Sequence, residues 1–299
     1  NTVIIATSLG VGLVTVAVPE FYSKVEGTVK IFLHSGITTG CLTAIVLMAL
    51  GAQWLYPINP WDATEAPFLH PFEQAGAWLG ADSMGRNIAA GVVHGAQASL
   101  LVGVVATVVA VFIGMLVGVP AGYLGGRWDE LLMRVTEIFQ TIPSFLFAIV
   151  LVAIFQPSFG SVITAVALVS WPPIARLVRA EFMRVKSSEF VEAATVQGYS
   201  RTHIVFAEIL PNCVSPLIVM ASLMVANAIL LESAISFLGL GDPNLMTWGY
   251  MVGASRTFLR LAWWMCLFPG VAIFVTVLAV NLMGEGLNDA LNPRLHRKG

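Results

Sequence analysis

Residues 187–212 read SSEFVEAATVQGYSRTHIVFAEILPN. Glu189, Glu192, Glu208, Arg201 and His203 crowd around a central glycine, Gly198, while the flanks are long runs of Val, Leu, Ile, Ala and Phe with little charge. Ser187 or Ser188 suits a helix N-cap, and Glu189 and Glu192 then fall in the first turns, where the helix dipole favours acids. Gly198 suits the position just past a helix C-terminus. Ser200 or Thr202 can cap a second helix through HIVFAEIL, which Pro211 is expected to stop before a new apolar run starts near Cys213. Ala193 and Ala194 give the first helix a small-residue face on which another surface can pack closely. The segment predicts a helix, a glycine turn and a second helix, 187–211, at a membrane surface. Spacing alone does not separate a docking handle from a plain connecting loop.

The composition explains the contrast between this island and its flanks. The chain has 299 residues, 57% of them hydrophobic and only 11% charged, with a mean hydropathy of +0.84. Soluble domains carry about 25% charged residues, so the expectation is an all-α integral membrane protein. A net charge of −2 with no basic stripe gives no reason to expect nucleic acid as a partner. Cys41, Cys213 and Cys266 are far apart within apolar runs and read as small buried hydrophobes.

Six stretches reach the roughly 20 apolar residues that cross a bilayer: 35–56, 98–124, 138–155, 159–177, 213–231 and 262–284. Residues 1–18 are a possible seventh span or a surface segment. The chain divides into an uncertain N-terminal segment, 1–34, a first span and outer loop, 35–97, and a core domain, 98–299. Of the 15 basic residues, Arg86, Arg256 and Arg260 fall in loops on one side and the other 12 on the opposite side. The positive-inside rule puts that second side, with the island and the C-terminal tail, in the cytoplasm.

Gly114, Gly118 and Gly122 recur every four residues, a spacing that lets helix backbones approach closely in lipid. Pro120 is expected to kink the same run, and Pro143, Pro172–Pro173 and Pro269 to mark breaks in three other spans. Such breaks fit ordinary helix packing or helices that line an opening path. Glu232, in ILLESAISFLG, is the acid nearest a span interior and reads either as packing glue or as a cavity-lining group. Glu137 reads as a solvated helix end. No metal-ligating cluster or catalytic motif is found. Residues 80–87, GADSMGRN, have the glycine frame of a phosphate loop, but Arg86-Asn87 replaces its Lys-[Ser/Thr].

The island EAATVQGYSRTHIVFAEILP resembles the EAA motif of ABC-importer permeases, with Glu192, Ala193, Ala194, Gly198, Ile209, Leu210 and Pro211 at matching positions. The general pattern has isoleucine one place earlier, where this chain has Glu208. That variant, with WLGADSMGRN, AGYLGGRWDELLMRV, SWPPIARLVRAEF, SFLGLG and FPGVAIFVTVLAVNLMGEGLNDALNPR, is similar to the C-type subunit of the dipeptide/oligopeptide/nickel branch. The likeness runs from about Trp54 to Arg294. DPNLMTWG departs from the Gln-Pro-Pro-rich stretch common in relatives, and residues 1–21 match nothing in the family.

The resemblance implies a type I ABC-importer permease fold and import of di- or oligopeptides, or alternatively of nickel chelates, glutathione or another small solute. Its implied partners are a second homologous permease subunit, two cytoplasmic ATPase subunits and an external solute-binding protein. The island would supply the coupling helices that ATPase closure pulls on. No cofactor and no ATPase site of its own are expected. A passive channel or self-sufficient carrier is the competing class, and ATP-dependence of uptake separates the two.

Overall fold

The computed structural model describes residues 36–291, so the expectations for residues 1–34 and for the tail beyond 291 lie outside the described residues. The described chain is helical, with two isolated β-bridges, Ala63 with Arg86 and Ala81 with Asn87. In order, the helices are α1 (Gly36–Leu50), α2 (Ala52–Leu55), α3 (Ile88–Leu124), α4 (Gly126–Thr141), α5 (Ser144–Phe155), α6 (Phe159–Lys186), α7 (Glu189–Val196), α8 (Arg201–Phe237), α9 (Trp248–Ser255) and α10 (Trp264–Leu291). Four of them, α3, α6, α8 and α10, are each long and apolar enough to cross a membrane, and α4 with α5 can form a fifth span as a bent pair. The apolar α1, 15 residues long, occupies the place of the first expected span.

The central pair is α3 against α6. A Cβ on Gly114 would lie 2.6 Å from Ile174 Cγ2, one on Gly118 2.5 Å from the Ala175 carbonyl oxygen, and one on Gly122 2.7 Å from the Arg179 carbonyl oxygen. The glycine stripe therefore lets two helix backbones touch, as its spacing predicted. Around this seam Ile174, Ala175, Val178, Phe182 and Val185 are buried. A second contact joins α1, α3, α9 and α10 through Ile45, Ala49, Ala96, Trp248 and Ala279.

Three expectations need correction. First, α3 starts at Ile88, ten residues before the predicted 98, because Asn87 caps it: the side-chain oxygen accepts from the Ala89 and Ala90 amides at 3.0 and 3.2 Å. The preceding phosphate-loop frame is a turn that delivers this cap, with Asp82 Oδ1 accepting from the Met84 and Arg86 amides. Second, Pro172, Pro173 and Pro269 lie inside continuous helices and break nothing. Pro143 alone acts as expected: Ile142 before it is extended, with ψ 129°, and α4 and α5 meet at 84°. The proline ring disfavours helical backbone in the residue before it. Third, Pro211 does not end the second island helix. The chain runs unbroken from Arg201 to Phe237, with a π-helical segment, Ile204–Ile209, just before the proline. The wider winding accommodates the ring and the missing N–H, so the island and the fifth expected span are one element.

Candidate functional site: the charged island and the cavity beside it

The island starts where α6 ends. Ser188 is extended at the N-cap of α7, Glu189 and Glu192 lie in the first turn, and both acids are exposed. At the other end Gly198 has φ +81°, its amide donates to the Thr195 carbonyl at 3.1 Å, and the Tyr199 amide donates to the Ala194 carbonyl at 3.2 Å. These two bonds form a Schellman motif, whose left-handed residue favours glycine. The Ser200 hydroxyl then accepts from the His203 amide at 3.2 Å and caps α8.

The motif residues divide between two faces. Ala194 and Ile209 are buried, with Val191, Ile204, Val205 and Cys213, against Phe182 and Val185 of α6. Leu210 packs against the same core as a partly buried residue. Glu192, Ala193, Gly198 and Pro211 are exposed. The two alanines therefore do not share an outward face: Ala194 anchors the island and Ala193 is presented. Sequence reading missed the exposed apolar side chains around Ala193, namely Phe190, Val196, Tyr199 and Phe206. Val196 is 88% exposed. Four exposed hydrophobes lie in the same segment as two acids that have no ion-pair partner among the described residues.

Beside the island a frame of polar contacts ties three helices. Arg179 of α6 forms a bidentate ion pair with Asp129 of α4. Lys186 Nζ donates to the Tyr123 carbonyl of α3 at 2.6 Å. Glu137 is at an exposed helix surface, as expected, 3.4 Å from Arg134.

Between α4, α5, α6 and α8 opens a cavity of about 730 Å³. Gln140, Ser144, Ser170, Asn227 and Arg176 give it polar walls, and Val169, Pro173, Met224 and Leu231 give it apolar ones. Pro172 and Pro173 deprive the Leu168 and Val169 carbonyls of their helical donors, which suits backbone that borders a wet cavity.

Glu232 is not among the residues lining this cavity. It is 2% exposed, and its Oε1 accepts from Ser236 at 2.7 Å and from Thr247 at 2.8 Å. Thr247 in turn caps α9, accepting from the Tyr250 amide at 3.0 Å, while the Trp248 amide donates to Ser99 of α3. The carboxyl group thus joins α8 to the N-cap of α9.

Residues 110–297 match the family described as the binding-protein-dependent transport system inner membrane component. The chain belongs to this family. The permease is similar to the dipeptide transport system permease protein DppC of Escherichia coli K12, 40% identical over 270 residues, which cover 88% of this chain and 90% of that one. It is 39% identical over 257 residues to the di/tripeptide transport system permease protein DppC of Pseudomonas aeruginosa, covering 84% and 85% of the two chains. It is 34% identical over 285 residues to the probable D,D-dipeptide transport system permease protein DdpC of Escherichia coli K12. Its fold matches a chain of the inward-facing MetNI methionine ABC transporter with a TM-score of 0.54, covering 68% of the permease and 96% of that chain at 17% identity. The permease is thus a multi-pass membrane subunit of an ABC importer, with the type I importer fold.

Proposed function

We propose that the permease pairs with a second homologous permease subunit to form the path of an importer for dipeptides and short oligopeptides. The observation that carries this reading is the 39–40% identity, over most of both chains, to permeases named for dipeptide and tripeptide transport. An external solute-binding protein delivers cargo and two cytoplasmic ATPase subunits drive the cycle. The permease itself contributes no ATPase site, in keeping with Arg86-Asn87 in place of the phosphate-loop Lys-[Ser/Thr].

The island 187–211 is the coupling element of this reading. Glu192 offers a charge-assisted contact, Ala193 a close approach and Gly198 the turn. Phe190, Val196 and Phe206 add apolar area that the ATPase subunit would cover. Ala194, Ile209, Leu210 and Pro211 carry a push on this surface into α6 and α8, because the first three pack on α6 and the last three belong to α8. The basic asymmetry of the loops supports a cytoplasmic island.

The test is uptake of a labelled dipeptide into proteoliposomes that contain the assembled complex with its binding protein. Uptake should require ATP on the island side. ATP-independent uptake at the same rate would show a passive channel or self-sufficient carrier instead.

A further inference from the structure

The cavity between α4, α5, α6 and α8 contains one cation and no carboxylate among its lining residues. That cation is Arg176. It lies on α6, where that helix borders the cavity. Its neighbour one turn on, Arg179, is fully engaged by Asp129. Arg176 is exposed, and it has neither an ion-pair nor a hydrogen-bond partner among the described residues. An unpaired guanidinium in a cavity with apolar walls belongs where water or an anion meets it.

We propose that Arg176 is a specificity-determining residue of the path, binding the C-terminal carboxylate of the peptide in transit. This rests on the proposed import of peptides and deepens it. The planar fork of a guanidinium matches a carboxylate with two parallel hydrogen bonds. The neutral groups around it, Gln140, Ser144, Ser170 and Asn227, can meet peptide amides and carbonyls without selecting a side chain. A C-terminal carboxylate is common to all unmodified peptides, so one fixed cation serves cargo of varied sequence. A volume of about 730 Å³ lies within the usual range for sites that hold a small ligand.

The experiment compares the wild-type complex with Arg176→Gln and Arg176→Lys in proteoliposomes, using a neutral dipeptide as its free acid and as its C-terminal amide. The quantity read is the ratio of wild-type to mutant uptake below saturation, so that any preference of the binding protein for the acid divides out. The expected result is a loss of about tenfold for the acid with Gln, a smaller loss with Lys, and less than about twofold change for the amide. Copurification of the partner permease and ATPase subunits with Arg176→Gln should be undiminished. Equal losses for acid and amide, or no loss for the acid, would overturn the assignment while leaving peptide import intact. Loss of copurification would overturn it in favour of an ion pair with the second permease. If the wild-type complex moves the amide too slowly to measure, the acid rate and the copurification decide. A wild-type complex that imports no peptide would instead overturn the proposed function, and this inference with it.

Discussion

The Thr247 hydroxyl donates to Glu232 Oε1 at 2.8 Å, beside the 2.7 Å bond from Ser236, so one buried carboxyl group satisfies two hydroxyls on different elements. Glu232→Gln keeps an oxygen that accepts both bonds and should be nearly silent. Glu232→Leu leaves the Ser236 and Thr247 hydroxyls without their acceptor, a cost of about 1–3 kcal/mol for each buried group. The expected outcome is normal recovery of folded protein for Gln and a clear loss for Leu. It is read by detergent-solubilised yield and thermal unfolding, together with uptake of one neutral and one cationic peptide. Cargo-dependent loss in the Gln variant with assembly intact would place Glu232 in the path instead.

Gly198 should tolerate asparagine better than valine. Nothing lies within 4 Å of a Cβ built there, so the penalty comes from φ +81° alone, about 1–2 kcal/mol for an ordinary side chain. Gly198→Val should reach the membrane at near-normal level and lose peptide-stimulated ATP hydrolysis, with Gly198→Asn between it and wild type. Normal transport by the valine variant would mean that the turn has no part in coupling.

Gly118→Ala should destabilise the helix pair by about 1–3 kcal/mol, because the new methyl group meets the Ala175 carbonyl oxygen at 2.5 Å and Val178 Cβ at 2.8 Å. Gly160→Ala is the control: it lies in α6 with open space around it and should be neutral or slightly stabilising. Thermal unfolding in detergent compares the two, and equal midpoints would remove the backbone contact from the account.

Single-cysteine labelling in intact cells tests the orientation. With Cys41, Cys213 and Cys266 replaced, an impermeant reagent added outside should label Met84→Cys, in the outer loop, and spare Ser200→Cys, in the island. Both positions are exposed on the isolated chain. The reverse pattern would invert the topology.

Much of this architecture is legible in the sequence, because apolar length reports membrane spans and glycine spacing reports close helix contact. The EAA-like island is recognisable as well, since its turn and second cap rest on local rules: Gly198 and Ser200 are where those rules put them, while Ser188 holds the N-cap position without a side-chain capping bond. What stays hidden depends on the third dimension. Pro143 breaks the helix while Pro172, Pro173 and Pro211 do not, and the residue type is the same in each case. The difference lies in the preceding backbone, extended at Ile142 but helical before the others, which the surrounding packing decides. Ala193 and Ala194 are equivalent in sequence and opposite in burial, because only the seat of α7 on α6 sets which one turns inward. Arg176 and Arg179 are likewise two arginines of one helix until Asp129, 50 positions away, takes the second.

The bend at Pro143 also has an electrical consequence. After the 84° turn only α5, 12 residues or about 18 Å, continues in the new direction, against a hydrocarbon thickness of about 30 Å. Water filling the cavity that borders this bend would thin the insulating layer there, and a membrane potential would then drop over a shorter distance than it does through lipid. A charged peptide crossing at such a point would experience the voltage, worth about 2.3 kcal/mol per charge for each 100 mV, within a few residues of chain. Imposed diffusion potentials on proteoliposomes at fixed ATP should therefore shift uptake of cationic and anionic dipeptides in opposite directions and leave neutral ones unchanged. Identical responses of all three would mean that no field is concentrated at the bend.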